Sequence, residues 1–353
     1  MSKKLLFPFL CLTLTIGCTK EEPKISAACE LMSNGTFLIK WETFPPMEGT
    51  VKVYESDRPD SFNLASLVFE QNIQAGYRSV LPSISSRPYF KLVFNRKYST
   101  IVSERTIPTQ GIFNFRDLGG YYNRFNKQIK WGKIYRSGSL GRTTGYDRQV
   151  LAGLHLETLI DLRTEQESFS YPNKLKTPQV YNLPLRGNGH DSFFDEILSR
   201  KMQLPDILDY DRDIFSFMLE NNTDYFIRMF DVLLDEKNYP VVVSCFLGKD
   251  RTAIASALIL AALDVDEETI YEDYLLSNTL IDYHALVRNA DSYTLDIQQT
   301  ITALFSAHTE TIRNAFETIR NNYGSVNHYL EKELHLTNKK REKLKSILLN
   351  DTL

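Results

Sequence analysis

The chain has 353 residues, 42% apolar and 24% charged, with a formal net charge of −3 and four cysteines. That length holds two domains, one of them large enough for a sizeable core. The near-neutral charge excludes bulk attraction to nucleic acid or to an anionic surface, and no Cys–Cys or Cys–His spacing matches a zinc site.

Lys3 and Lys4 open the chain, and Leu5 to Ile16 is an apolar run too short to span a bilayer as a mature helix. Gly17-Cys18 ends it. A small residue followed by Cys at this point resembles a bacterial lipoprotein signal. Cleavage before Cys18 and acylation of its thiol would anchor the chain to a membrane of the bacterial cell envelope, on the periplasmic or surface side. Thr15-Ile16 departs from the usual residues before such a site, and the alternative is an ordinary signal peptide with an incidental Cys. Cys11 leaves with the signal. Cys29 and Cys245 then remain in separate domains, so no structural disulfide is expected. Residues 1–18 are read as the signal and 19–25 as a solvated tether.

Residues 26–106 read as β structure. Phe37, Ile39 and Trp41 share one face of an alternating run, and Thr50 to Glu55 and Tyr89 to Phe94 alternate alike. Asn34-Gly35, Pro45-Pro46 and Arg58-Pro-Asp60 mark turns. Strand-sized runs about ten residues apart predict a small all-β sandwich. Its length and early Trp look like a fibronectin type III-like module. Its aromatic residues are expected in the core rather than on a carbohydrate platform.

Residues 107–353 change character. In Asn114-Phe-Arg-Asp-Leu-Gly-Gly120, Arg116 and Asp117 fit a buried ion pair and the glycines a turn. Lys130 to Arg136 predicts a strand after a hairpin. Tyr146 to Leu154 predicts a helix closed by Gly153. His155 to Arg163 carries a strand ending in Asp161 and Arg163, and sites gather at strand ends in open α/β sheets. Arg186 to Glu220 is acidic and aromatic and is open between a helical lid and a surface insertion. Asn222 or Thr223 caps a helix through Leu234. After residue 252 the chain is helical, with Asp266 and Thr337 as caps. Strands before Cys245 and helices after it argue for an α/β core. His284, His308, His328 and His335 are scattered and read as fillers.

The chemistry centres on Val241-Val-Val-Ser-Cys245-Phe-Leu-Gly-Lys-Asp-Arg251-Thr252. Three β-branched residues after Pro240 predict a buried strand, and Thr252 to Leu263 a buried helix. A strand, a loop and a helix N-terminus make an anion site. Cys245 opens the loop and Arg251 closes it. Helix N-termini and nearby cations favour the nucleophilic thiolate, and a guanidinium fork holds two phosphoryl oxygens. Phe246, Leu247, Gly248, Lys249 and Thr252 complete the cradle. Asp250 is the first choice for the acid that protonates the leaving oxygen, and Asp161 the second. Lys249 is expected to face a second phosphate of the substrate; the alternative is a solvated turn residue.

Cys245-Phe-Leu-Gly-Lys-Asp-Arg-Thr252 resembles the phosphate loop of the bacterial tyrosine/lipid phosphatases, an atypical branch of the protein tyrosine phosphatases. Asn114 to Gly120, Tyr135-Arg-Ser-Gly138, Ile160-Asp-Leu-Arg163, Asp273 to Asn278 and Tyr323-Gly-Ser-Val326 fit the same family. Ser244 and Ala253 stand where the family usually has His and Gly. The resemblance implies a tyrosine-phosphatase-like central sheet with flanking helices and a cysteinyl-phosphate intermediate, with neither metal nor cofactor. The implied substrates are phosphotyrosine in proteins and phosphoinositides, and Arg116 and Asp117 gain an accessory place near the site. The alternatives are an inositol polyphosphate phosphatase and a non-catalytic phosphate-binding surface protein. Contact with a membrane is expected only through the lipid anchor.

Overall fold

The computed structural model describes residues 22–84, 87–187, 190–287 and 289–350. Cys18 and the apolar run before it lie outside the described residues. Among those described, no helix is long and apolar enough to cross a membrane.

The N-terminal part contains β1 (Lys24–Leu31), β2 (Phe37–Phe44), β3 (Thr50–Ser56), β4 (Leu67–Asn72), β5 (Tyr77–Val80), β6 (Tyr89–Phe94) and β7 (Tyr98–Ser103). They pair antiparallel into two sheets, β1-β2-β5 and β4-β3-β6-β7. Phe37, Ile39 and Trp41 are buried on one face of β2, as period-two alternation requires. They share one hydrophobic cluster with Val53, Phe90 and Leu92 of the other sheet. The Trp41 indole N–H donates to the Ile73 carbonyl at 2.8 Å, so this ring is core. Cys29 is buried in the same cluster, and both Cys29 and Cys245 are free thiols.

From residue 107 the chain builds an α/β body. Its sheet has the order β11-β10-β12-β9-β8, from β8 (Arg116–Asp117), β9 (Ile134–Ser137), β10 (Thr158–Asp161), β11 (Gln179–Asn182) and β12 (Val241–Ser244). Only β8 runs antiparallel. Ser244 at the end of β12 lies opposite Asp161 of β10 and Ser137 of β9. Three strand ends therefore meet at one level, and the loop beginning at Cys245 leaves from there, in the crevice where open α/β sheets place their ligands.

Helices α1 (Gly145–Ala152) and α2 (Glu165–Ser170) each begin with a capping box, Thr144 with Asp147 and Thr164 with Glu167. The undecided stretch 186–220 holds α3 (His190–Leu198) and most of α4 (Leu204–Asn221). Here α4 is no surface insertion, because Ile214, Phe215, Met218 and Leu219 sit in the main core. Phe193 and Ile197 of α3 share a second cluster with Leu247 of the loop. Next comes α5 (Thr223–Leu233), after Asn222, whose side chain accepts from the Arg186 N–H instead of capping the helix. α6 (Asp250–Ala262) is buried at every position, which explains its apolarity on all faces. Asp266 caps α7 (Glu267–Leu275), which is followed by the short α8 (Ser277–Leu280) and α9 (Tyr283–Leu286). Then follow α10 (Leu295–Phe305), α11 (Thr309–Tyr323), α12 (Val326–His328) and α13 (Asn338–Leu348), the last capped by Thr337 as expected.

A polar seam joins the β sheets to the α/β body. Arg87 donates to Asp117 Oδ2 at 2.8 Å, to Tyr89 Oη at 3.0 Å and to the Glu104 carbonyl at 2.7 Å. The Trp131 indole and the Gln128 amide both donate to the Ile101 carbonyl at 2.8 Å.

Candidate active site

The loop closes around sulfur. The Gly248 N–H donates to Cys245 Sγ at 3.2 Å. Gly248 has φ +71°, and a Cβ there would lie 2.5 Å from the Ser137 carbonyl carbon, so only glycine fits. Its carbonyl is pulled the opposite way, accepting from Asn114 Nδ2 and from an Arg136 terminal nitrogen, each at 2.8 Å. Gly248 in the left-handed region followed by Lys249 in the right-handed helical region is the alternation from which anion-binding nests are built.

Behind these two residues stands Asp273. It receives Arg116 Nε at 3.1 Å, the Tyr121 hydroxyl at 3.0 Å and a short hydrogen bond from Arg136. Burial alone would raise the Asp273 carboxyl, but the Arg116 and Arg136 guanidiniums outweigh it and hold the group well below the usual carboxylate range. Arg116 also donates to Asn114 Oδ1, which closes the network. Arg116 is thus a brace of the loop. Asp117 turns away into the seam, accepting from the Gly119 and Gly132 N–H groups and from Arg87.

Arg251 is fixed from the other side. Its two terminal nitrogens each donate at 2.6 Å to the two oxygens of Glu167, a fork-to-fork pair. Burial would lower the Arg251 guanidinium, but the Glu167 hydrogen bonds and the charges of Cys245, Glu167 and Asp250 leave it raised. Nothing in the pattern singles out Glu167 except its place as the third residue of a capping box. Thr252 Oγ and Ser244 Oγ are buried and make no hydrogen bond among the described residues.

Two expectations are corrected. Lys249 does not face a second phosphate. Its ammonium is buried and donates to the Leu304 and Ser306 carbonyls at 2.9 and 2.8 Å, at the C-terminal end of α10. Orphan carbonyls there attract a cation. Asp250 Oδ1 lies 3.2 Å from that ammonium and Asp211 Oδ1 3.8 Å. Burial would lower Lys249, but the two carboxylates leave it raised and charged. Asp161 is the other correction. Its oxygens take Arg163 Nε at 2.9 Å, an Arg163 terminal nitrogen at 2.7 Å and Asn173 Nδ2 at 3.0 Å, which saturates it as a structural group. Asp250 stands beside the loop at the first turn of α6, with Oδ1 toward the Lys249 ammonium.

The sequence profile described as the tyrosine phosphatase family matches residues 107–350. The chain belongs to the tyrosine phosphatase family. A Cupriavidus necator protein provisionally named a tyrosine-protein phosphatase is 26% identical over 234 residues, covering 64% of this chain and 82% of the relative. The triple specificity protein phosphatase PtpB of Mycobacterium tuberculosis is 25% identical over 255 residues, 62% of this chain and 91% of its own length. The tyrosine-protein phosphatase of Nostoc commune is 29% identical over 147 residues, 40% of this chain and 47% of its own. A solved structure of the core catalytic domain of the PP-IP phosphatase SIW14 from S. cerevisiae, in complex with citrate, is 16% identical with a TM-score of 0.29, covering 56% of this chain and 86% of that one. That likeness is too low to bear on the site.

In this phosphatase, Cys245, Gly248, Asp250 and Arg251 come together at the strand ends, with Asn114, Arg136 and Asp273 as their support. Phe246 meets Tyr171 edge-on at 5.7 Å, which adds an aromatic wall that sequence reading missed. Tyr171 follows α2 without a local motif to mark it.

Proposed function

We propose that this phosphatase cleaves phosphomonoesters through a cysteinyl-phosphate on Cys245, with phosphotyrosine as its first substrate class. The observation that carries this is the loop itself: a sulfur under the Gly248 N–H at the buried N-terminus of α6, with Arg251 held in a fixed fork by Glu167. Sγ attacks phosphorus, the bond from phosphorus to the ester oxygen breaks, and that oxygen takes a proton from Asp250, which must first be protonated from solvent beside Lys249. A phenolate leaving group of pKa ~10 makes this proton useful. Water then attacks phosphorus, the S–P bond breaks, and the thiolate returns with inorganic phosphate released. Arg251 and the N–H groups of Phe246 to Thr252 stabilise the equatorial oxygens, and the spare Thr252 hydroxyl is available to the sulfur as it departs.

Phosphoinositides are the second substrate class, supported by the resemblance of Cys245 to Thr252 to the phosphate loop of the bacterial tyrosine/lipid phosphatases rather than by Lys249. The N-terminal strands are read as a fibronectin type III-like sandwich over 26–106, set before the phosphatase domain of 107–353. An acyl chain on Cys18 would hold both at the bacterial envelope. The test is phosphate release from phosphotyrosine peptide, phosphoserine peptide, phosphoinositides and inositol hexaphosphate. Cys245→Ser should abolish turnover and still bind phosphate; undiminished release by that variant sinks the reading.

A further inference from the structure

A cavity of about 640 Å³ lies between the C-terminal half of α1 and the chain after α2, and the proposed reaction does not use it. Leu151, Leu156 and Leu175 form its apolar part, while Arg148, His155, Lys174 and Lys176 line it with exposed basic side chains. Among the described residues, no carboxylate lines it. None of the four basic groups has a side-chain ion pair or hydrogen bond among the described residues. In a chain of net charge −3 such a cluster is a local reversal of sign. Like charges in one concavity focus a positive potential.

The segment that forms one wall of the cavity leads back to a residue that packs on the catalytic loop. The Lys174 N–H donates to the Leu140 carbonyl at 3.3 Å, and three residues earlier Tyr171 packs on Phe246. Arg142 adds a further cation over Tyr171, 5.3 Å from its ring centroid. On the same two helices Tyr146 is 44% exposed and Phe169 84%, the latter more than any other large apolar side chain described. A bare phosphate has no use for leucines, and a neutral lipid none for unpaired cations. Cations, an apolar floor and protruding rings together suit an anionic amphiphile.

We infer that this cavity binds an anionic glycerophospholipid of the membrane surface, its phosphodiester among Arg148, Lys174 and Lys176 and its glycerol and acyl root on the three leucines. It is a binding claim and stands apart from the proposed chemistry, because a phosphodiester is not cleaved by a phosphomonoesterase.

The experiment titrates the full chain with dihexanoylphosphatidylglycerol below micelle formation, by calorimetry, and maps Lys174 and Lys176 by protection from acetylation. Glycerol 3-phosphate carries the anion alone, and dihexanoylphosphatidylcholine the apolar part without net charge. The expected result is protection of both lysines by phosphatidylglycerol alone, with binding at least tenfold tighter than either control. Lys174→Gln with Lys176→Gln should weaken it about 25-fold, at a factor of about five per surface cation, while p-nitrophenyl phosphate turnover stays unchanged. Equal protection by glycerol phosphate would mean a free-anion site. Equal binding of phosphatidylcholine would mean an apolar slot, and full affinity in the double variant would place the lipid elsewhere; each of these overturns the inference.

Discussion

Arg87→Met tests how firmly the N-terminal sheets are tied to the phosphatase body. Arg87 gives Asp117 a 2.8 Å ion pair and holds the Glu104 carbonyl at 2.7 and 3.2 Å, between the rings of Tyr89 and Trp131 at 4.9 and 5.5 Å. Burial would lower its guanidinium, but the Asp117 charge beside it leaves it raised. Methionine keeps the apolar stem and removes the charge. Asp117, fully buried, would then retain the Gly119 and Gly132 N–H groups and lose its cation. Removing one partner of a buried pair costs about 3–5 kcal/mol, and the two backbone donors favour the lower end. At ~2–4 °C per kcal/mol the melting temperature should fall by roughly 6–12 °C. Thermal unfolding followed together by far-UV dichroism and p-nitrophenyl phosphate turnover should show one cooperative transition, shifted as a whole. A loss under about 1 kcal/mol, or two transitions of which only the first moves, would refute the idea of a shared fold.

The other predictions concern the loop and its braces. Asp273 has a folded pKa below its unfolded value of ~3.9, so its stabilisation is complete above that value and is lost as pH falls through the folded one. Asp273→Asn should therefore be less stable at pH 7, and urea midpoints of variant and wild type should converge on acidification; a gap that stays constant down to pH 2 defeats this account. Glu167→Gln loosens the Arg251 fork and should lower kcat/KM by roughly 10–100-fold, the worth of a charge-assisted contact. Steady-state kinetics at wild-type rates would show that Arg251 orients itself. Lys249→Met should slow phosphotyrosine peptide and phosphoinositide hydrolysis by the same factor, because the ammonium binds the end of α10. A selective loss on the phosphoinositide would restore Lys249 to the substrate.

What sequence could reveal was local. Three β-branched residues after Pro240 gave β12, an apolar run gave α6, and alternation gave the buried face of β2, because each pattern repeats with the geometry of its own element. The loop residues follow from adjacency along the chain. The braces do not: Arg116 and Asp273 are 157 residues apart, and Arg251 and Glu167 84 apart, so only the topology brings them together. Glu167 shows locally as a capping residue, and that reading is correct as far as it goes. Lys249 and Asp161 misled for one shared reason. Both sit at positions whose backbone borders the site, yet their side chains are claimed by stronger partners nearby, the carbonyl end of α10 and the fork of Arg163.

Ser244 shows how such a network redistributes a role. The family usually carries His before the nucleophile, and the sequence alone makes its loss look like a loss of order. In the fold, however, the Ser244 hydroxyl makes no hydrogen bond, while the Gly248 carbonyl is held twice over and the Cys245 N–H donates to the Ser137 carbonyl at 3.4 Å. The loop is therefore set by its carbonyl anchors, and those hang on Asn114, Arg136 and Asp273. A carbonyl held by a neutral amide and a buried cation is more narrowly directed than one held by a single side chain. The shape of the cradle thus depends less on the residue beside the sulfur than on a carboxylate that follows it by 28 positions in the chain.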